Sequence, residues 1–292
     1  MDKCTLCPRE CKIDRHSTLG ACGVGNEIKI AKVMLHMWEE PPISGTNGSG
    51  AIFFSGCPLK CVYCQNKEIS HGLLGKEVII AELADIMLDL QEKGAHNINL
   101  VTPTHFSDGI LEALSLVRGK LRIPVVYNTS GYEKAEEIEK IGEDVSVFLT
   151  DIKYFSQELS SKYSRAKDYY ERAKEAFAKM LSLQPKCVYD ESGIMTNGVI
   201  LRHLVLPSHR HDSIAILEDI AKSFDVSSFK LSLMSQYTPD FCDESVKELR
   251  RRVTSFEYQS VLDCAISLGY DGYFQDKESA SKEYTPNFNS QA

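Results

Sequence analysis

With 292 residues the chain has room for one large domain or two small ones, and 43% hydrophobic with 25% charged residues is ordinary for a soluble globular protein. A formal net charge of −8 argues against nucleic acid as the main partner, because phosphate contacts need clustered Lys and Arg. No apolar run approaches a membrane span, and the start Met1-Asp2-Lys3-Cys4-Thr5 lacks a signal peptide's apolar segment, so the expected location is the cytoplasm, with no membrane partner. There the ten cysteines should be reduced, and their clustering points to metal over disulfides.

Residues 1–25 form a cysteine-rich head holding Cys4, Cys7, Cys11 and Cys22. A stretch over 28–37 has an extended pattern, and a turn-rich linker rich in Pro, Gly and Ser covers 41–50. From Ala51 onward, apolar runs alternate with helical patterns. Strands are expected at 51–55, 98–102, 124–128, 146–151, 199–206 and 229–235. Between the first two, Ile79, Ile80, Leu83, Ile86, Met87 and Leu90 fall on one helical face, and Gly94 marks the stop. Helical patterns recur at 110–117, 133–141, 169–183 and 214–224. This alternation implies an α/β fold of parallel strands joined by crossover helices, either a partial barrel or a doubly wound sheet. In both, ligands sit at the carboxyl ends of the strands. The expected divisions are an extension with linker at 1–47, a catalytic unit at 48–275 and a polar tail at 276–292.

After the first strand stand Cys57, Cys61 and Cys64, in the run Cys-Pro-Leu-Lys-Cys-Val-Tyr-Cys. Three thiolates so spaced can hold three irons of a four-iron cluster and leave the fourth iron open, whereas electron-transfer clusters normally take four. Buried structural thiols are the bland alternative. The later strands end in Thr102-Pro103-Thr104-His105, Asn128-Thr129-Ser130-Gly131, Thr150-Asp151-Ile152-Lys153 and Ser235-Gln236-Tyr237. Singly each is a loop cap or surface turn, and Asp151 with Lys153 reads as an ion pair on one side of an extended chain. Together they suggest one polar mouth. Arg202 and His203 alternate on their strand, so one of the two is expected to be structural. His105, His209 and His211 lack helical metal-ligand spacing. Cys187, Cys242 and Cys264 stand alone as core thiols.

The cysteine triplet after strand one of such an array resembles the radical SAM superfamily. The words Phe53-Phe54-Ser55-Gly56-Cys57 through Asn66, and Asp151-Ile152-Lys153-Tyr154, look like the branch related to pyruvate formate-lyase activating enzymes. That resemblance implies a partial (β/α)6 barrel with a small Cys-rich N-terminal extension. It implies a [4Fe-4S] cluster on Cys57, Cys61 and Cys64 that chelates S-adenosylmethionine, cleaves it reductively and yields a 5′-deoxyadenosyl radical that abstracts hydrogen. By analogy Tyr63 would lie near the adenine, and Asn128, Ser130, Asp151 and Lys153 would address the ribose and methionyl end. Thr102 and Thr104 replace the family's Gly-Gly-Glu segment at the methionyl amine, Arg202 joins the site from strand five, and Gln236 closes it. No single residue is assigned as catalytic.

The resemblance further implies a protein or peptide substrate, among them the backbone glycine of a glycyl radical enzyme, and a reducing donor such as flavodoxin or ferredoxin. Radical chemistry on a small molecule or on another modified protein is the alternative. A non-enzymatic, metal-stabilised binding module is a third reading. The head's Cys4, Cys7, Cys11 and Cys22 suit a structural metal clasp such as zinc, with a second iron–sulfur cluster and free thiols as the alternatives.

Overall fold

The computed structural model describes residues 3–275, so the tail expected at 276–292 lies outside them. Its elements begin with β1 (Ile28–His36), α1 (Pro41–Ser44), β2 (Ser49–Phe54), α2 (Lys67–Ser70), β3 (Lys76–Val78) and α3 (Ile80–Glu92). β4 (Ile98–Val101), α4 (Ser107–Val117), β5 (Val125–Thr129), α5 (Ala135–Ile141) and β6 (Val147–Asp151) keep the alternation. Two helices in succession, α6 (Gln157–Ser164) and α7 (Tyr169–Leu183), lead to β7 (Val188–Tyr189), β8 (Met195–Leu204) and α8 (Arg210–Ser223). β9 (Lys230–Met234), α9 (Ser255–Ser267) and β10 (Gly272–Phe274) complete the described chain.

The strand order is β10-β9-β8-β6-β5-β4-β2-β1-β3, with β7 pairing only with β8. From β2 to β10 the neighbours along this path are parallel, as the crossover helices require. β1 and β3 lie antiparallel at the far edge. This is an α/β fold with a mostly parallel sheet, in keeping with a partial barrel. Strands β4, β5 and β6 are buried or nearly so at every position, which explains their unbroken apolar lettering. On α3 the buried residues are Leu83, Ala84, Met87 and Leu90, the spacing of one helical face. Glu82 accepts from the Ile79 backbone N–H at 2.9 Å and so satisfies a donor ahead of the first turn.

All six expected strands are present, and the structure adds a further parallel strand, β10, of only three residues. Three residues are too few to show a period. The expected linker is folded: Pro41 and Pro42 open α1, Ile43 is fully buried, and β2 starts at Ser49. The extended stretch is β1, hydrogen-bonded to β2, so the segment ahead of the first parallel strand belongs to the same sheet.

Residues 3–27 contain no helix or strand. Turns close on Cys4, whose N–H donates to Ile13 O at 2.9 Å and whose O accepts from Lys12 N at 3.0 Å. Arg9 clasps this head to the barrel. Its Nε donates to Pro58 O at 2.8 Å, its Nη2 to Ser164 O at 2.9 Å, and its Nη1 to Arg165 O. Arg15 adds a bond from Nη1 to His105 O at 2.5 Å. Bonds with a charged donor are worth about 1.5–3 kcal/mol each, so these two side chains carry much of the docking.

Candidate functional site

The loop after β2 turns at Gly56, which has φ +88°; a Cβ there would meet Cys22 O at 2.9 Å and the Val24 side chain, so only glycine fits. Leu59 is buried and anchors the loop, and Cys64 N–H donates back to Cys61 O at 3.1 Å. The result is that Cys57, Cys61 and Cys64 all line one cavity of about 280 Å³. Burial pushes the Cys57 thiol up to about 12 and raises that of Cys64. Ser164 Oγ donates to Cys61 Sγ at 2.9 Å. Since that hydroxyl has one proton, Tyr154 must donate to Ser164 (2.7 Å) and Tyr63 in turn to Tyr154 (2.6 Å). A directed chain of hydroxyls thus ends on a thiol.

Strand ends supply the opposite wall. Tyr63, Thr102, Asn128, Ser130 and Asp151 line the cavity, as do Lys153, Arg202 and Gln236. Asp151 takes the Lys153 ammonium on Oδ2 and Arg202 Nε on Oδ1 at 2.9 Å. Burial alone would raise its carboxyl, but Arg202 and Lys153 outweigh it and hold Asp151 below the usual range. Burial likewise opposes the Lys153 charge, and Asp151 more than restores it. Arg202 Nη2 donates to Asn128 Oδ1 at 2.6 Å, fixing the amide's orientation. Ser130 O accepts from Tyr169 OH at 2.7 Å. Gln236 Oε1 accepts from Gln275 Nε2 at 3.3 Å. Thr102 has φ +59°, a conformation costing about 1–3 kcal/mol for a β-branched residue, and its N–H donates to Asn128 O at 2.8 Å.

Thr104 is a correction: it does not line the cavity. The chain reverses at Thr102, and Thr104 Oγ1 donates to the buried Glu133 Oε1 at 2.5 Å, an oxygen that also accepts from Thr129. His105 is buried, with Nε2–H donating to Ser55 O at 2.7 Å, and burial lowers it to about 4. His203 is the structural member of its pair, held between Ile152 O (2.7 Å) and Ser213 Oγ (2.8 Å). His209 bonds Tyr163 OH at 2.8 Å. The structure does not gather these imidazoles into a metal site. All ten cysteines are free thiols; Cys242 is buried, while Cys187 and Cys264 are half-buried.

Glu39 was not anticipated. It follows β1, lines the cavity, and is 9% exposed as a side chain. Its Oε1 accepts from Asn99 Nδ2 at 3.0 Å and Asn128 Nδ2 at 3.4 Å, and its Oε2 lies 3.4 Å from Arg202 Nη1. Burial raises its carboxyl and that of Glu40. The available signal was two adjacent carboxylates, Glu39-Glu40, between Trp38 and Pro41-Pro42.

No three His, Cys, Asp or Glu side chains among the described residues converge on a point to share a single ion. An iron–sulfur cube gives each thiolate its own iron, so it does not ask for such convergence. Three free thiols on one loop, opening on a cavity lined by polar strand ends, fit that group. Among the described residues no helix is long and apolar enough to cross a membrane.

The protein called "Uncharacterized protein MJ0674" of Methanocaldococcus jannaschii is 29% identical over 278 residues, covering 92% of this chain and 75% of that one. Among solved structures, a radical SAM methyltransferase from Sphaerobacter thermophilus aligns with a TM-score of 0.50 at 13% identity, over 78% of this chain and 66% of the other, a likeness of fold. SuiB of Streptococcus suis, solved with S-adenosylmethionine, aligns at 12% identity and a TM-score of 0.49 over 80% of this chain and 51% of its own. The chain thus spans about two thirds and about half of those two solved chains. The profile of the Radical SAM superfamily matches residues 51–197, from β2 through the triplet and Asp151 into β8. That match takes in just over half of the 292 residues, and the chain belongs to the radical SAM superfamily, an enzyme family whose members use a [4Fe-4S] cluster and S-adenosylmethionine.

Proposed function

We propose that Cys57, Cys61 and Cys64 hold the [4Fe-4S] cluster, that the cavity beside them takes S-adenosylmethionine, and that the enzyme abstracts hydrogen from a protein or peptide. The observation that carries this is the sharing of one cavity by three free thiols and by the polar ends of β5, β6, β8 and β9. When bound, the cluster and S-adenosylmethionine supply reductive cleavage and the hydrogen-abstracting radical.

The chain's own residues bind and orient. Lys153, its charge sustained by Asp151, offers a fixed cation to a carboxylate, and Asn128 and Ser130 offer an amide and a hydroxyl to a ribose. Tyr63 presents an aromatic face beside two of the thiols for an adenine. Arg202 reinforces Asp151 and Asn128, so it acts on the cofactor through them. Thr102 and Gln236 close opposite sides. Thr104 is not assigned a contact, because its hydroxyl is engaged with Glu133. The four head thiols are read as a separate metal group. A cytoplasmic setting and a flavodoxin or ferredoxin donor complete the reading.

The test is anaerobic: reconstitution with iron and sulfide, reduction, addition of S-adenosylmethionine, and quantification of 5′-deoxyadenosine. Product from the wild type and none from Cys61→Ala is expected. Failure of the wild type to assemble an oxygen-sensitive cluster on the triplet would overturn the reading. For the glycyl radical version, mixing enzyme, S-adenosylmethionine and each glycyl enzyme of the host must give a radical signal by electron resonance. Silence with all of them would leave another peptide or a small molecule as substrate.

A further inference from the structure

We propose that Ser164 raises the reduction potential of the cluster on Cys57, Cys61 and Cys64 through its hydrogen bond to the Cys61 sulfur, and that Arg9 of the head holds Ser164 in place. This rests on the assignment of those three cysteines above.

A thiolate bound to iron has no proton, so it can only accept. Ser164 Oγ stands 2.9 Å from Cys61 Sγ and is therefore the donor. A serine inside a helix commonly gives its proton to a carbonyl of the preceding turn. Ser160 and Ser161 of α6 do so, bonding Gln157 O at 3.2 and 2.6 Å. Ser164 instead gives its proton to the ligand loop. Its oxygen accepts from Tyr154 OH at 2.7 Å, and Tyr154 accepts from Tyr63 OH at 2.6 Å. Each donor in the row polarises the next and strengthens the last bond. Ser164 and Tyr154 have no exposed surface, so no water competes for the contact or could replace it.

The sign follows from charge. When the cluster gains an electron its sulfurs become more negative, and a fixed O–H dipole aimed at one of them favours the reduced state over the oxidised one. Burial keeps that preference from being screened away. Ser164 thereby raises the potential and lowers the driving force demanded of the donor. A low-potential flavoprotein or iron–sulfur protein is oxidised by one electron and the cluster is reduced by it. No proton moves and no covalent bond changes in that step.

The surrounding bonds fix the geometry. Val62 N–H, beside Cys61, donates to Tyr163 O at 2.9 Å and ties the ligand loop to the last turn of α6. The start of α6 is held by Asp212 of α8, whose carboxylate accepts from Phe155 N and Ser156 N at 2.9 and 2.8 Å. Arg9 closes the frame. Its Nε donates to Pro58 O in the ligand loop, and its Nη2 donates to the carbonyl of Ser164 itself. One planar guanidinium thus spans both sides of the Ser164–Cys61 contact and acts on it as a positioning residue.

The experiment is an anaerobic redox titration of the reconstituted full-length protein, followed by electron resonance of the reduced cluster. The transition belonging to the triplet is the one absent from Cys61→Ala. Ser164→Ala, with the iron content of wild type, is expected to show an about tenfold lower ratio of reduced to oxidised cluster at a given potential, a midpoint about 59 mV more negative. Ser164→Thr keeps the hydroxyl and should lie close to wild type. Arg9→Met should move the midpoint in the same direction as Ser164→Ala, by less. An unmoved midpoint in iron-loaded Ser164→Ala would overturn the proposal, and an unmoved midpoint in Arg9→Met would remove the head from it. Should Ser164→Ala fail to hold iron, Tyr154→Phe decides: loss of the hydroxyl that feeds Ser164 must lower the midpoint, and equality with wild type would refute the tuning. A wild type lacking the Cys61-dependent transition would instead sink the cysteine assignment, so the two readings fail separately.

Discussion

Arg202 and Glu39 approach to 3.4 Å across the cavity although 163 residues separate them, and the same guanidinium holds Asp151 at 2.9 Å. One cation therefore serves two buried carboxylates. Arg202→Met should leave Glu39 without its cation and Asp151 with Lys153 alone, and destabilise the apoprotein by about 3–5 kcal/mol in urea unfolding. Arg202→Lys should recover only part of this, because an ammonium lacks the planar fork that meets Glu39, Asp151 and Asn128 together. A loss below about 1 kcal/mol for Arg202→Met would refute the shared pairing.

His105 makes stability fall on mild acidification. Its ordinary value of 6.5 drops to about 4 in the fold, chiefly through burial. Between those values the unfolded chain binds a proton that the folded chain refuses, so stability is full above 6.5 and is lost as pH falls toward 4. The loss attributable to this imidazole is roughly 3 kcal/mol. His105→Phe should flatten the difference in that window when unfolding is followed from pH 7 to pH 4, and an unchanged slope would exclude His105 as its source.

Glu257 acts in a lower window. It accepts from Ser208 N at 2.7 Å and Thr254 N at 2.9 Å, and both Nη atoms of Arg251 reach it at 2.6–2.7 Å. Arg251 first, and then the backbone donors against some burial, depress its carboxyl below the ordinary 4.5. Its contribution is therefore whole above 4.5 and drains as pH falls further. Glu257→Gln should destabilise α9 by about 1–3 kcal/mol at pH 7 and much less near pH 2. Hydrogen exchange along residues 254–267 would locate the effect; uniform loss across the barrel would contradict it.

Gly131 has φ +78°, and a Cβ on it would stand 2.1 Å from Asp151 O. Gly131→Ala must therefore push the end of β5 away from β6 and carry Ser130 with it. We expect a folded protein whose affinity for S-adenosylmethionine, measured anaerobically by equilibrium dialysis, is reduced at least tenfold. Unaltered affinity would show that the spacing of these two strand ends is irrelevant to the cofactor.

Much of the site was legible because a parallel α/β sheet presents chemistry at strand ends. Asn128, Asp151 and Lys153 could be named once their strands were found. Thr104 misled because β4 stops at Val101 and the left-handed Thr102 turns the chain aside, a reversal that no hydrophobic period announces. Glu39 escaped because it lies in a stretch without periodicity and acquires its role only from Asn99, Asn128 and Arg202, partners far along the chain. β10 was missed for brevity, since Gly272–Phe274 gains its identity from pairing with β9.

The Arg9 clasp sets an order of assembly on the ribosome. Ser164 and Arg165 lie 155 and 156 residues after Arg9, so the head cannot lock onto the barrel until that much more chain has been made. At ordinary elongation rates this interval is roughly 8–30 s. Throughout it the head's four thiols precede, on the growing chain, the Ser164–Arg165 segment to which Arg9 binds. In that interval Arg9 can reach Pro58 but not yet its two later partners, so the head stays only partly docked.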